Sequence, residues 1–209
     1  MEWFARHQCM IYEGSPAKHL PGLAAQIISS IQANYRCMYF NSLPMVAGIR
    51  SYLSAAGLDV TGELFRGSLI LSSSDSHLVN GRFDPARMLD LLRRAVEDAG
   101  TDGYAGLWAI GDMTWEFGSE RNFSKLLEYE WGLEQLFQEQ PTLHGVCQYH
   151  RDTLPPGAVH QGLCSHRTIY IDQTLSRVNP HYLRPESFSP NISTPSGAEL
   201  NRMLEGLLG

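Results

Sequence analysis

Short apolar runs alternate with amphipathic helical stretches along most of this chain, and that alternation limits the folds open to it more than any motif does. Residues 7–13, 36–41, 67–72, 105–113, 144–150 and 168–172 read as strands, each bounded by Gly, Pro or polar residues. Between them, 23–33, 44–56, 84–99, 122–140 and 156–163 follow helical spacing, as Leu23, Ile27, Ile28 and Ile31 show. Asp84-Pro85 supplies an N-cap and a first-turn proline for one of these helices, and Gly100 a stop. Strand, helix and strand in sequence make βαβ units with right-handed crossovers. The expected fold is α/β, with a mainly parallel sheet flanked by helices on both faces.

The 209 residues suit one domain over 1–175. Residues 176–209, with Pro180, Pro185, Pro190 and Pro195, read as an extended tail packed on the domain and ending in a short helix at 198–208. Charged residues are 18% and hydrophobic ones 43%, a balance that excludes disorder and favours a well-covered core. A net charge of −6 without a run of Lys or Arg argues against direct nucleic-acid binding. No apolar segment is long enough for a membrane span, and Met1 to Arg6 lacks the layout of a signal peptide, so a cytoplasmic setting is expected. Cys9, Cys37, Cys147 and Cys164 form no C-x-x-C pair, which removes zinc-ribbon and thioredoxin-type motifs; Cys37 and Cys164 read as small buried hydrophobes.

The chemistry is concentrated at 7–13. Alternation puts His7, Cys9, Ile11 and Glu13 on one face and Gln8, Met10 and Tyr12 on the other. A similar texture returns at 144–150, which carries Cys147, Tyr149 and His150, so whether Cys9 and Cys147 approach each other becomes a structural question. Ligands of parallel α/β sheets bind outside the carboxyl ends of the strands, where Glu13, Asn41, Asp112, Tyr149 and Asp172 fall. Asp112, Thr114 and Trp115 offer an acid, a hydroxyl and a large aromatic there.

Glu130 occupies a position on the apolar spacing of Phe123, Leu126, Leu127, Leu133 and Phe137. A carboxylate facing a core costs several kcal/mol unless it is paired or protonated, so Glu130 meets a cationic partner or lines a polar pocket. No G-x-x-x-x-G-K-[ST] loop, G-x-G-x-x-G or G-x-S-x-G elbow occurs, which argues against ordinary ATP hydrolysis, dinucleotide binding and serine-esterase chemistry. His7, Cys9, Cys147, His150 and His166 suggest a metal, but two ligands on one strand face lie about 7 Å apart along it and no spacing is diagnostic. No cofactor is therefore expected, a metal being the alternative, and His166 reads as a structural residue.

Five motifs in order carry a family resemblance: His7-x-Cys9-x-Ile11-Tyr12-Glu13, Gly111-Asp112-Met113-Thr114-Trp115, Leu127-Glu128-Tyr129-Glu130, Cys147-x-Tyr149 and Asn179-Pro180-x-Tyr182-x-x-Pro185. Together they resemble the MEDS domain, the methanogen/methylotroph sensory domain, over about residues 5–188. The resemblance implies a ligand-sensing domain of prokaryotic signalling systems, proposed to detect simple hydrocarbon derivatives such as one-carbon compounds. It also implies a RecA/KaiC-like fold without a functional P-loop; enzyme activity is not expected. The implied ligand-binding residues are His7, Cys9, Tyr12, Glu13, Trp115, Glu130, Cys147 and Tyr149; Asp112, at a strand end and standing where the family usually shows Glu, joins them as a candidate.

Such domains are often fused to a helix-turn-helix or a histidine kinase, for which 209 residues leave no room. Signalling in trans to a separate kinase or transcription regulator is the corresponding expectation, along with a homo-oligomer. Two alternatives stay open: a metal-binding or redox enzyme using the thiols and imidazoles, and a degenerate P-loop domain retained as an interaction scaffold.

Overall fold

In a computed structural model, residues 6–74, 77–118, 122–187 and 195–208 are described. The first half runs β1 (His7–Tyr12), α1 (Leu20–Gln32), β2 (Tyr35–Phe40), α2 (Leu43–Ala55), α3 (Val60–Arg66) and β3 (Leu69–Ser72), followed by the strands β4 (Leu78–Val79) and β5 (Arg82–Phe83). The second half runs α4 (Pro85–Thr101), β6 (Gly106–Asp112), α5 (Met113–Glu116), α6 (Leu126–Glu139), β7 (Leu143–His150), α7 (Pro156–Ser165), β8 (Thr168–Tyr170), β9 (Ser176–Val178) and α8 (Gly197–Leu208).

Seven strands form one sheet in the order β3-β2-β6-β7-β1-β8-β9, parallel except for the antiparallel β8–β9 pair. The expected α/β architecture is therefore present. β1 lies inside the sheet between β7 and β8, and its six residues are all buried.

Strand alternation divides the interior into two cores. Met10 and Tyr12 of β1, Cys37 and Tyr39 of β2 and Val146 of β7 pack against α1 and α2. Cys9, Ile11, Met38, Phe40, Cys147 and Tyr149 pack on the other face against α4, α6, α7 and α8. The face division read from the sequence for 7–12 is the one observed; Glu13 lies just beyond the strand and is exposed.

Several boundaries differ from expectation for local reasons. α3 is an additional helix, N-capped by Asp59, whose carboxylate accepts the Gly62 N–H, and ended by left-handed Gly67. Gly100 does not stop α4, because the chain turns only at Asp102 and Gly103, the latter at φ 85°. The loop read at 72–81 contributes β4, which pairs with β5 as a small hairpin. The tail read from 176 begins with a strand that extends the sheet, and Leu200, Leu204 and Leu207 of α8 join the core, which holds the C-terminal helix on the domain. Residues 1–5 and Pro190 lie outside the described residues. Among the described residues, no helix is long and apolar enough to cross a membrane.

Candidate functional site

Glu130 organises the inner of two polar sites. It sits on the sheet-facing side of α6 with Leu126, Leu133 and Phe137, and its side chain is fully buried. Its Oε2 lies 3.4 Å from His7 Nε2 and 3.3 Å from His166 Nε2. Its Oε1 accepts the Tyr149 hydroxyl. One turn along the helix, Glu134 Oε2 stands 3.2 Å from His7 Nδ1, while Glu134 Oε1 accepts from Arg167 Nε at 2.8 Å. Cys147 Sγ, on the strand beside β1, is 3.6 Å from His7 Nε2.

Packing fixes these groups. The His7 ring stacks on Phe137 at 4.6 Å and leans on His166 at 4.1 Å. Gly162 lets α7 close over Tyr149, since a Cβ there would run into the Tyr149 ring. Tyr149 is thereby held with its hydroxyl on Glu130.

The electrostatics follow from partners rather than from depth alone. Burial pushes the Glu130 carboxyl up, but the His166 and His7 imidazoles and the Tyr149 hydroxyl outweigh it and hold it below the ordinary carboxylate value. For His7, burial acts downward, and the Glu130 and Glu134 carboxylates overcome it and raise the imidazole. For His166, burial wins and lowers it to about 4. Glu134, against the same burial cost, is held down at about 2 by His7 and Arg167. The site thus brings two carboxylates, two imidazoles and the Arg167 guanidinium together. Burial, then Glu130, pushes the Cys9 and Cys147 thiols well up, so neither is an activated nucleophile as it stands.

The second site is an open crevice of about 710 Å³ at the carboxyl ends of β1, β2, β6 and β7. Tyr12, Asn41, Asp112, Trp115 and His150 line it, and Leu78 and Gly81 of the β4–β5 segment bound one side. Asp112 ends β6 and caps α5, with Oδ1 accepting the Trp115 N–H at 2.9 Å, while the Tyr12 hydroxyl reaches Oδ2 at 3.4 Å. Tyr12 stacks on His150 at 4.9 Å. Trp115 packs against Phe40 at 6.1 Å and His77 at 4.6 Å, and His77 Nε2 is tied to the Glu116 carbonyl at 2.8 Å. Asp112 is only 6% exposed, and among the described residues it forms no ion pair. Burial raises its carboxyl above the usual range despite the Trp115 and Tyr12 hydrogen bonds.

Residues 6–167 match the family described as MEDS, the MEthanogen/methylotroph, DcmR Sensory domain. The chain belongs to the MEDS family. No curated protein matches it. The MEDS match runs from the residue before β1 to the residue before β8, so it takes in both polar sites and leaves β8, β9 and α8 outside. A sensor role in signalling is what MEDS membership carries.

Within this MEDS chain the nine sequence-derived site residues do not converge on one pocket. His7, Cys9, Glu130, Cys147 and Tyr149 gather under α6 and α7, and Cys9 and Cys147 are register partners on neighbouring strands. Tyr12, Asp112 and Trp115 line the crevice. Glu13 belongs to neither group: it is exposed and pairs with Arg151 at 3.2 Å.

Residues left out of the sequence-derived ligand set stand in or beside both sites. Glu134 had a signal in its i+4 spacing from Glu130. His166 was read as structural, yet it closes the cluster from the segment after α7. His77 had no local signal. Glu116, fully enclosed over Gly111, also had none; burial raises its carboxyl well above the ordinary value.

Proposed function

We propose that this MEDS domain senses a small hydrocarbon derivative in the crevice at the strand carboxyl ends. The observation that carries the reading is Asp112, a nearly buried carboxyl facing a crevice; its hydrogen bonds and the nearby His150 imidazole do not offset the cost of its burial, and it forms no ion pair among the described residues. A volume of about 710 Å³ falls within the size range of small-molecule sites. A ligand that offers Asp112 a hydroxyl or amino donor, with a short alkyl body against Trp115 and Met45, supplies what the carboxyl lacks. One-carbon and two-carbon alcohols and amines head this class.

Binding there has a route outward. Trp115 bridges the crevice to His77, and Leu78 packs over Gly118 so closely that a Cβ at Gly118 would meet it. A ligand against Trp115 therefore bears on the β4–β5 segment, and a shift of that segment is the change that a separate kinase or transcription regulator reads in the cytoplasm.

The test is a panel of short-chain alcohols, amines, aldehydes and acids, read by thermal shift and by tryptophan fluorescence. A donor-bearing member should raise the melting temperature, and Asp112→Asn should weaken its binding at least about tenfold, or about 1.4 kcal/mol, while leaving the fold intact. Failure of the whole panel, or equal binding by Asp112→Asn, overturns the reading.

A further inference from the structure

We propose that His7 Nε2, Glu130 Oε2, Cys147 Sγ and His166 Nε2 form a tetrahedral site for one divalent transition-metal ion of the zinc class, buried beneath α6 and α7. The inference concerns the inner cluster and does not depend on what the crevice binds.

The four ligand atoms lie within 4.8 Å of one another, and all four residues are buried. Zinc bonds of about 2.0–2.1 Å to nitrogen and oxygen and about 2.3 Å to sulfur place tetrahedral ligands roughly 3.3–3.6 Å apart. The observed separations of 3.3 Å (His166 to Glu130), 3.4 Å (His7 to Glu130) and 3.6 Å (Cys147 to His7) fall on those edges.

The hydrogen bonds around the cluster point the same way. His166 Nδ1 is 2.7 Å from the Gly162 carbonyl, an acceptor only, so Nδ1 carries a proton and donates it there. In the neutral ring Nε2 is then a lone pair, and it faces a carboxylate oxygen 3.3 Å away. Two acceptors aimed at each other across a dry gap repel unless a cation lies between them. Among the described residues, neither His166 Nε2 nor Glu130 Oε2 has a hydrogen-bond partner, although both are buried. His7 shows the same arrangement, with Nδ1 on the Glu134 carboxylate and Nε2 turned inward. Tyr149 occupies the other oxygen of Glu130. Imidazoles oriented by a carboxylate and a backbone carbonyl, and a carboxylate fixed through its second oxygen, are the outer contacts that metal ligands have.

Metal entry takes the proton of the Cys147 thiol, so a thiolate and the Glu130 carboxylate face the dication. Two nitrogens, one oxygen and one thiolate suit zinc better than the all-oxygen cations. Four protein ligands leave no open position, which makes the site a brace rather than a catalytic centre. The ligands come from β1, α6, β7 and the residue after α7, so the ion ties both helices to the sheet as the chain folds.

Elemental analysis of the full chain purified without chelator should give about one equivalent of zinc. Protein unfolded with chelator and refolded with Co²⁺ should show the visible bands of a tetrahedral ion and a near-ultraviolet thiolate charge-transfer band. Cys147→Ser should abolish the charge-transfer band, and Cys37→Ala, in the opposite core, should leave it. Because ligand variants can fail to fold, Glu134→Gln serves as the milder one and should weaken metal binding about 10–100-fold. Wild-type protein that carries no transition metal and takes up no cobalt on refolding overturns the proposal, as does an unaltered cobalt spectrum in folded Cys147→Ser. Crevice-ligand binding is scored separately by thermal shift, so either proposal can fail alone.

Discussion

Glu130 and Asp112 are both buried carboxylates on one parallel sheet, yet their surroundings treat them in opposite ways. Glu130 has two imidazoles and a phenol around it and is held below its ordinary pKa; Asp112 has backbone N–H groups, a distant phenol and the His150 imidazole nearby, and burial still raises it above its own. Burial penalises the charged form in both places, so the partners decide the sign. In the inner cluster the carboxylates meet imidazoles and a guanidinium of the chain itself, and His7, Glu130, Cys147 and His166 are buried. The crevice leaves an acid whose burial outweighs its partners, which is the arrangement expected where stability yields to binding.

The comparison is broken most severely by removing the acid of the inner site. Glu130→Leu restores the apolar pattern of α6 but strands His7, His166 and the Tyr149 hydroxyl, and should cost about 3–5 kcal/mol in urea unfolding. Glu128→Ala, exposed on the same helix, should stay within about 0.5 kcal/mol of wild type. Equal effects of the two would show that the cluster contributes nothing beyond helix surface.

A smaller effect comes from the outer carboxylate of the same cluster. Glu134→Gln removes the partner of Arg167 and His7 and should cost roughly 1.5–3 kcal/mol at pH 7. The folded-state pKa of Glu134 is about 2, against an ordinary 4.5. Its stabilisation is therefore present above 4.5 and lost as pH falls toward 2. The gap between variant and wild type should narrow over that window, and a gap that is constant with pH would deny the ionic contribution.

The smallest effect should have the opposite sign. Asp112→Asn keeps an N-cap for α5 and removes a disfavoured charge, so it should stabilise the fold by about 1 kcal/mol or less at pH 7. Because the Asp112 pKa is raised above 3.8, its contribution is fully present below 3.8 and lost as pH rises through the folded value. The gain should accordingly vanish below that pH. Destabilisation at neutral pH would mean that Asp112 has a partner that the crevice does not reveal.

The alternation of strands and helices was legible because each element carries its own periodicity. Strand faces were legible for the same reason: Met10 and Tyr12 went one way, Cys9 and Ile11 the other. Glu130 could be singled out because a carboxylate on an apolar helical face contradicts its neighbours. β9 was missed because a three-residue edge strand has too little pattern to register, and its pairing with β8 supplies what the sequence lacks.

Sequence alone thus determined the class of fold, the two faces of β1, the absence of the usual phosphate and dinucleotide loops, and Glu130 as a residue in need of partners. Only the tertiary structure decided who those partners are. His7, Cys147 and His166 meet Glu130 because β1 is inserted between β7 and β8 and α6 crosses over them, contacts between residues far apart in the chain that no local periodicity encodes. The same insertion sends Tyr12 into the crevice with Asp112 and Trp115, one strand thereby serving two sites on opposite faces.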